Sequence, residues 1–419
     1  MKKLELTITA LSPLAIGAQK PGTSVSEVEK YIPGAVVRGA IASQILRLSD
    51  GNTEGHFQQL FLGDNPAIFH NAYPGIAKIS KEKSQIANSS VKVIPATAMS
   101  SKTNPGFKPN GNEVFDTLID CFFADACNLP YDPSDPNASK PGENPQVEAY
   151  RGFYSGCDKN YYIHDVSSRF LTRVGINRRR ATSEEEILYS VEVLNESFLK
   201  NRETGEWDNF VYSGLITVEN DSLADALSRF LNKGSQNFRI GGSASRGLGK
   251  VKFAAKESKS SIKKVKTRIN NFNQALENRW NLWSVFVSKS NPLDNNRTYF
   301  TVNLHSDAIL TENWQRTTVV SETMLQQFTQ VEDSSLKLHV AYSSYDYGSG
   351  WNSAWGLMKD VELLTNKGAV YLFSTEHPEK WYKPLEKLEI NGIGNRTCEG
   401  FGHIEICNEF HQVFRENAV

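Results

Sequence analysis

Gly241-Gly242-Ser243-Ala244-Ser245-Arg246-Gly247-Leu248-Gly249-Lys250-Val251-Lys252-Phe253 and Gly392-Ile393-Gly394-Asn395-Arg396-Thr397-Cys398-Glu399-Gly400-Phe401-Gly402-His403-Ile404-Glu405-Ile406 are two renderings of one pattern. Each ends in Gly-apolar-Gly and then alternates polar and apolar residues, so a glycine loop runs directly into a strand. Glycine lets such a loop take positive φ, and its bare N–H groups can approach a phosphate closely. Two copies predict a duplicated unit that handles a polyanion. The plainer reading is a tight turn needed only for geometry, since Gly-x-Gly alone is a weak signal.

A second echo supports the duplication. Thr7-Ile8-Thr9-Ala10-Leu11-Ser12-Pro13-Leu14-Ala15-Ile16 and Thr301-Val302-Asn303-Leu304-His305-Ser306-Asp307-Ala308-Ile309-Leu310 lie at a constant offset of 294 positions. Both are alternating strands that run into a serine, a turn residue and a short apolar segment. From Thr7 to Gly247 is 240 positions, but from Thr301 to Gly400 only 99, so the first unit carries an insertion. Residues 105–145 hold seven of the sixteen prolines and are read as a long surface loop. Between the halves, Lys256 to Arg279 carries Ile262, Val265, Ile269, Phe272 and Leu276 at helical spacing, which predicts an amphipathic linker helix.

Within the first half, Pro33 to Leu48 reads as a helix with Val37, Ile41, Ile45 and Leu48 on its buried stripe and proline at its start. Residues 187–193 and 210–218 read as paired strands. Asp221 to Lys233 reads as a second helix, ended by Gly234. Strand, helix, strands, helix, glycine loop, strand is the β-α-β-β-α-β plan of a ferredoxin-like unit.

The chain has 419 residues, 39% apolar and 22% charged, with a formal net charge of −1. That balance argues against a uniformly basic nucleic-acid coat, so any anion-binding surface must be local. No stretch approaches a membrane span, and the N-terminus is too polar for a signal peptide. Five cysteines in this length fit a reducing cytoplasm better than a disulfide framework.

Several residues can carry chemistry. Arg246 and Lys250 equip the first glycine loop for anion contact; Glu399 and His403 stand at the matching places in the second, which suits structure or a partner better. Neither loop is a Walker loop, and neither fits a dinucleotide fingerprint, because the strand follows the loop. Arg169, Arg173, Arg178, Arg179 and Arg180 fall within twelve residues uninterrupted by acid, and arginine forks match phosphate oxygens; Glu184 to Glu186 follow, so a self-neutralised surface segment is the alternative. Tyr31-Ile32-Pro33-Gly34 with Arg38 suggests an anion at a helix N-terminus, against a plain core helix. Cys121, Cys127 and Cys157, with His164 near, allow a zinc site, although the usual Cys-x₂₋₄-Cys knuckle is missing and idle thiols are the blander reading. Tyr347 and Trp351 sit in a glycine-rich stretch where aromatics can stack on bases or meet a partner protein.

Taken together, Ile32-Pro33-Gly34…Arg38-Gly39, Thr172-Arg173-Val174-Gly175-Ile176-Asn177-Arg178 and the loop Gly241 to Gly249 resemble the CRISPR-associated RAMP superfamily of RNA-binding proteins. Gly350-Trp351-Asn352…Trp355-Gly356-Leu357 and Gly392 to Gly402 further resemble the large double-RAMP subunit of type III-D effector complexes. The resemblance implies an α+β chain of two ferredoxin-like (RRM-like) domains, at 1–255 with an inserted region at about 60–160 and at 299–419, joined by a partly helical linker at 256–298. It implies a guide-RNA-binding subunit at the repeat-derived 5′ handle, among other RAMP and effector subunits and close to target RNA, with no membrane and no cofactor. Arg38, Arg246 and Lys250, with the backbone of Gly241, Gly242 and Gly247, would line the RNA path, and Arg173 and Arg178 to Arg180 would lie on an adjoining hairpin. Family members that cut target RNA carry an aspartate in the loop before Ile-Pro-Gly; here Gly17 to Tyr31 holds only Glu27 and Glu29 as acids, so the expectation is no cleavage. The rival readings are a metal-independent endoribonuclease processing precursor guide RNA, with His56 as the nearest N-terminal base, and a protein-interaction adaptor.

Overall fold

Two β-sheets with one strand order organise the computed structural model. It describes the chain except residues 19–26, 80–83, 87–89, 138–145, 158–159, 178–181, 259–263, 286, 288–290 and 353–355, and leaves aside the side chains at 157, 175–177, 182–187 and 351–352. In the first unit, strand β1 (Lys2–Ala10) leads to helix α1 (Gly34–Leu48) and the short strand β2 (Ile68–Phe69). Strand β3 (Val211–Val218), helix α2 (Asp221–Lys233) and strand β4 (Lys250–Glu257) complete it. The sheet runs β4-β1-β3-β2, with Phe238–Arg239 outside β4. In the second unit, helix α3 (Val265–Trp283) precedes strand β5 (Thr298–Leu304), helix α4 (Glu322–Thr329), strands β6 (Lys337–Tyr342) and β7 (Val370–Thr375), helix α5 (Tyr382–Asn391) and strand β8 (Ile404–Ile406). Its sheet runs β8-β5-β7-β6. Both sheets therefore set the last strand beside the first and the first beside the third, as two ferredoxin-like units do.

The local causes are simple. Leu4, Leu6, Ile8 and Ala10 alternate inward along β1, and Val251, Phe253 and Ala255 do the same along β4. Helix α2 starts where the Asn220 side chain accepts from Ser222 N–H, and it buries Leu223, Ala224, Leu227 and Leu231 on the sheet. Each fully buried leucine or phenylalanine contributes about 1.5–3 kcal/mol. Helix α1 buries Val37, Ile41 and Gln44, while Leu48 is exposed; the stripe ends one turn earlier than the sequence suggests.

Three expectations are corrected. Residues 105–145 are not simply a surface loop: Val114–Asp116 is a strand, and Leu118–Cys127 is a helix whose Leu118, Ile119 and Phe123 lie in the core of the second unit against Phe272, Leu276 and Trp280 of α3. The prolines stand at 105, 109 and from 130 onward, which leaves 110–129 free to form helix. Residues 187–193 do not pair with 210–218. The strand Thr182–Leu194 forms a hairpin with Ser168–Asn177, and β3 pairs with β1. The third correction concerns the start of α1, which the second glycine loop covers.

Candidate nucleic-acid interface

Both glycine loops hang on one hydrogen-bond frame. In the first unit, Ile240 N–H donates to Gly249 C=O at 2.9 Å, Gly242 N–H to Ala15 C=O at 2.8 Å, and Gly249 N–H to Pro13 C=O at 2.9 Å. In the second, Ile393 donates to Gly402 at 2.9 Å, Asn395 to Ile309 at 3.0 Å, and Gly402 to Asp307 at 2.9 Å. Lys250 N–H donates to Ser12 Oγ at 2.7 Å, and His403 N–H to Ser306 Oγ at 2.8 Å. The loop residues of these pairs are 153 positions apart and the turn residues 294, so each bond has its repeat. The shape needs glycine for two reasons. Gly249 and Gly402 have φ of +81° and +66°, and an added Cβ would lie 2.2 and 1.8 Å from the carbonyl oxygens of Ile240 and Ile393.

The two copies differ in their side chains and in what covers them. The first loop is exposed at Gly241, Gly242, Arg246, Gly247 and Lys250. Arg246 lies over the Tyr189 ring at 5.4 Å and donates to its hydroxyl at 2.6 Å, while Arg173 Nη2 donates to the Arg246 carbonyl at 3.4 Å. The hairpin 168–194 thus stands beside the loop and carries Arg173 to it. Lys250 and Lys252 point out from alternate positions of β4. Among the described residues, Arg246, Lys250 and Lys252 have no acidic partner within ion-pair distance. In the second copy, Glu399 takes the place of Arg246 and is held by Arg396 at 2.5 Å and Lys359 at 3.0 Å. Burial works to raise its carboxyl, but these cations hold it below the ordinary carboxylate range. His403 replaces Lys250 and is buried; burial first, then His70 and His305, keep the ring neutral far below its usual titration range.

That second loop is a joint between the units. Gly400 lies against Gly34, where an added Cβ on Gly34 would meet Gly400 Cα at 2.9 Å and Phe69 O at 1.9 Å. Asn71 Oδ1 accepts the Gly34 N–H at 2.8 Å. The α1 start is therefore filled by protein and is not open to a phosphate. Arg38 is likewise turned inward: it donates to Phe61 C=O at 2.7 Å and stacks 5.4 Å from the Phe61 ring. Next to the joint, sequence reasoning missed a polar cluster. His70 and His403 stack with centroids 4.4 Å apart, His305 Nε2 is 2.8 Å from Glu405, and Lys92 is 2.5 Å from the same carboxylate. Burial opposes ionisation of Glu405, yet Lys92 and His305 hold its carboxyl well below the ordinary range. The only sequence signal was His403 standing where the first copy has lysine.

The other candidate residues are dispersed. Arg178, Arg179 and Arg180 lie outside the described residues. Tyr347 is exposed on a second-unit hairpin, edge-on to Tyr345 at 6.0 Å, and Trp351 lies on the short strand Trp351–Asn352. Cys121 is half-buried and Cys127 buried on the 118–127 helix, with burial pushing the Cys121 thiol up; Cys157 lies on the strand Phe153–Cys157. His164 is buried against Ser155 Oγ at 2.8 Å. Among the described residues, no group of three or more His, Cys, Asp or Glu side chains is placed to hold a metal ion. His56 is exposed at the start of a short helix and borders an apolar groove of about 230 Å³ between α1 and α2, lined by Ile45, Leu60 and Phe230. Among the described residues, no helix is long and apolar enough to cross a membrane.

Two ferredoxin-like units, each closed by a positive-φ glycine loop bonded to the turn after its first strand, define a duplicated α+β protein with one basic loop in solvent and one neutralised loop inside. A family model described as the RAMP superfamily matches residues 7–252, more than half of the chain, and the chain belongs to that superfamily. Comparison with curated proteins returned no match. Among solved structures, the chain is similar to one in "Cryo-EM structure of the Type III-B Cmr-beta bound to cognate target RNA and AMPPnP, state 1", with 12% identity, a TM-score of 0.40, and coverage of 90% of this chain and 88% of that one. It is also similar to the crystal structure of oligomeric Cmr4 from Pyrococcus furiosus, with 13% identity, a TM-score of 0.27, and coverage of 61% and 99%.

Proposed function

We propose that this chain is a non-catalytic RNA-binding subunit of a type III CRISPR effector complex, and that it holds the guide RNA at its repeat-derived 5′ handle. The observation that carries the RNA reading is the contrast between the loops. One frame built twice keeps Arg246, Lys250 and Lys252 exposed and, among the described residues, free of acids in the first copy, and replaces or neutralises the charge in the second. Free cations on a glycine turn suit phosphate oxygens, and Tyr189 beside Arg246 offers a surface for an unstacked base. Membership of the RAMP superfamily supports the class of ligand. The type III-D position and the handle rest on the sequence resemblance of Gly350 to Leu357 and Gly392 to Gly402. The non-catalytic part rests on the segment before Ile32-Pro33-Gly34, where Gly17 to Tyr31 holds only Glu27 and Glu29 as acids.

The test is guide-RNA binding by the full chain carrying Arg246→Gln, Lys250→Gln and Lys252→Gln together. Removing three phosphate contacts should lower the slope of log affinity against log salt by about 2 for a single strand. An unchanged slope and affinity would refute the assignment. Incubation with repeat RNA in EDTA addresses catalysis; site-specific cleavage would overturn the non-catalytic part.

A further inference from the structure

Among the described residues, the most exposed large apolar side chain is that of Trp314, at 100%. It stands at the tip of a second-unit hairpin, where Leu310–Glu312 pairs with Gln315–Thr317. Asn313 and Trp314 join the two strands, and both have positive φ, +48° and +65°. That turn has the hand that matches the twist of paired strands, and Asn-Gly is the pair that makes it with least strain. Asparagine holds the first position here. The second, where glycine belongs, carries tryptophan, and a bulky residue at positive φ is an outlier. The fold gains nothing in return, since the indole is wholly in solvent. A strained residue that does not pack points to a ligand.

The hairpin below the ring is fixed. Arg316 pairs with Glu362, Thr365 Oγ1 donates to Thr317 C=O at 3.5 Å, and Tyr371 OH donates to Thr318 C=O at 2.8 Å. The other residues of the tip, Thr311, Glu312, Asn313, Gln315 and Arg316, are polar. Both nearby acids are matched, Glu312 by the Ser321 hydroxyl and Glu362 by Arg316. A tryptophan that anchors a protein partner is ringed by contacts that exclude water; this one is a bare ring among hydrogen-bonding groups. The hairpin also has a place in the repeat. It begins one residue after Ile309, whose carbonyl holds the second glycine loop. In the first unit the chain pairs again from Ile16, 294 positions earlier and one residue after Ala15, which holds the first loop. There Glu29 N–H donates to Ile16 C=O at 2.8 Å and Ala18 N–H to Glu27 C=O at 2.7 Å. Each glycine loop therefore has an arm rooted beside it. We propose that Trp314 is a base-stacking site, on which one unpaired base of the bound RNA lies. The second unit then holds the strand by stacking where the first holds it by charge, as its neutralised loop requires. Every base has a π face, so such a site tolerates any sequence. This inference rests on the reading that the chain binds guide RNA.

The experiment measures guide-RNA binding by the full chain, wild type and Trp314→Gly, with bases of the RNA removed one at a time as abasic sugars. Glycine takes the ring away and suits the turn, so Tm should hold or rise while affinity falls about five- to a hundredfold. The salt slope should stay at the wild-type value, because no charge is lost, which separates this site from Arg246, Lys250 and Lys252. Trp314→Phe should keep most of the affinity. Abasic substitution at one position should weaken the wild type and leave Trp314→Gly unchanged, which is the coupling of ring and base. Wild-type affinity in Trp314→Gly, losses that simply add at every abasic position, a Trp314→Phe variant as weak as Trp314→Gly, or a fall in affinity accompanied by a fall in Tm would each overturn the inference. In the assembled complex, photoreactive benzoylphenylalanine in place of Trp314 should crosslink to RNA; a crosslink to protein alone would overturn it too. The two readings fail differently. A wild-type chain that binds no guide RNA sinks the RNA reading and the stacking site with it, whereas tight wild-type binding that ignores Trp314→Gly sinks the stacking site alone.

Discussion

Replacing Arg279 with alanine should loosen the second unit through a residue that lies between strands of the first. Arg279 on α3 forms a two-pronged pair with Asp120 on the 118–127 helix, Nε to Oδ1 at 2.6 Å and Nη2 to Oδ2 at 2.7 Å. It also pairs with Glu416 at 2.9 Å and lies 4.6 Å from the Phe414 ring. Asp120 is only 2% exposed. Without Arg279 its carboxylate keeps Trp283 Nε1 at 2.8 Å and Tyr131 OH at 3.5 Å, neither of them charged. Breaking a buried pair by removing one partner costs about 3–5 kcal/mol, because the remaining charge is uncompensated. For a core of this size that lowers Tm by about 6–20 °C.

Trp280, Trp283 and Trp381 all belong to this core or pack on it, so thermal unfolding followed by tryptophan emission reads the right unit. The decisive comparison is the double variant Asp120→Leu with Arg279→Met. Removing both charges into an apolar core is often neutral or stabilising, so the double variant should recover most of the loss. A single Arg279→Ala variant that costs less than about 1 kcal/mol, or a double variant that is simply the sum of the singles, would refute the claim that this pair is a buried, coupled tie.

Three further outcomes are expected. Gly249→Ala and Gly402→Ala should each cost about 2–5 kcal/mol, combining the left-handed backbone with a clash against a carbonyl, whereas Gly205→Ala should cost only about 1–2 kcal/mol; chemical denaturation of the three variants checks the ranking. Tyr189→Ala should weaken RNA binding about two- to fivefold, the worth of an exposed cation–π contact, while leaving the salt slope unchanged because no charge is removed; a changed slope would mean that Tyr189 does more than aim Arg246. Acid should destabilise the fold through its neutral histidines. Burial lowers His164 to about 4 from 6.5, so between pH 6.5 and 4 the unfolded state takes up a proton that the folded state refuses. Stability from this source is intact above pH 6.5 and falls as pH drops, by about 3 kcal/mol at pH 4, and a His164→Leu variant should show a flatter decline of Tm over that window.

The frame of the fold could be read in the chain because its determinants are local and of few kinds. Ser12 and Ser306, Pro13 and Asp307, and the loop glycines recur at constant spacing, and each position makes the same bond in both units. What could not be read was long-range and carried by backbone. The joint between Gly34 and Gly400 spans most of the chain and is a backbone contact capped by the Asn71 amide, which lies 37 positions from Gly34, so the helix start with its neighbouring Arg38 looked like an anion site. The 118–127 helix was hidden by averaging, since prolines on both sides of it lowered the whole segment. The divergence of the loops, visible in sequence as Arg246 against Glu399 and Lys250 against His403, acquires its cause from the structure. A loop packed on the other unit beside His70 and Lys92 cannot keep a free cation without the cost of burying an unpaired charge, and its charge must be neutral or matched. Glu399 with Lys359 and Arg396, and neutral His403, meet that condition. The exposed loop is under no such constraint, so its charge, unmatched among the described residues, is free to meet a ligand that brings the opposite sign.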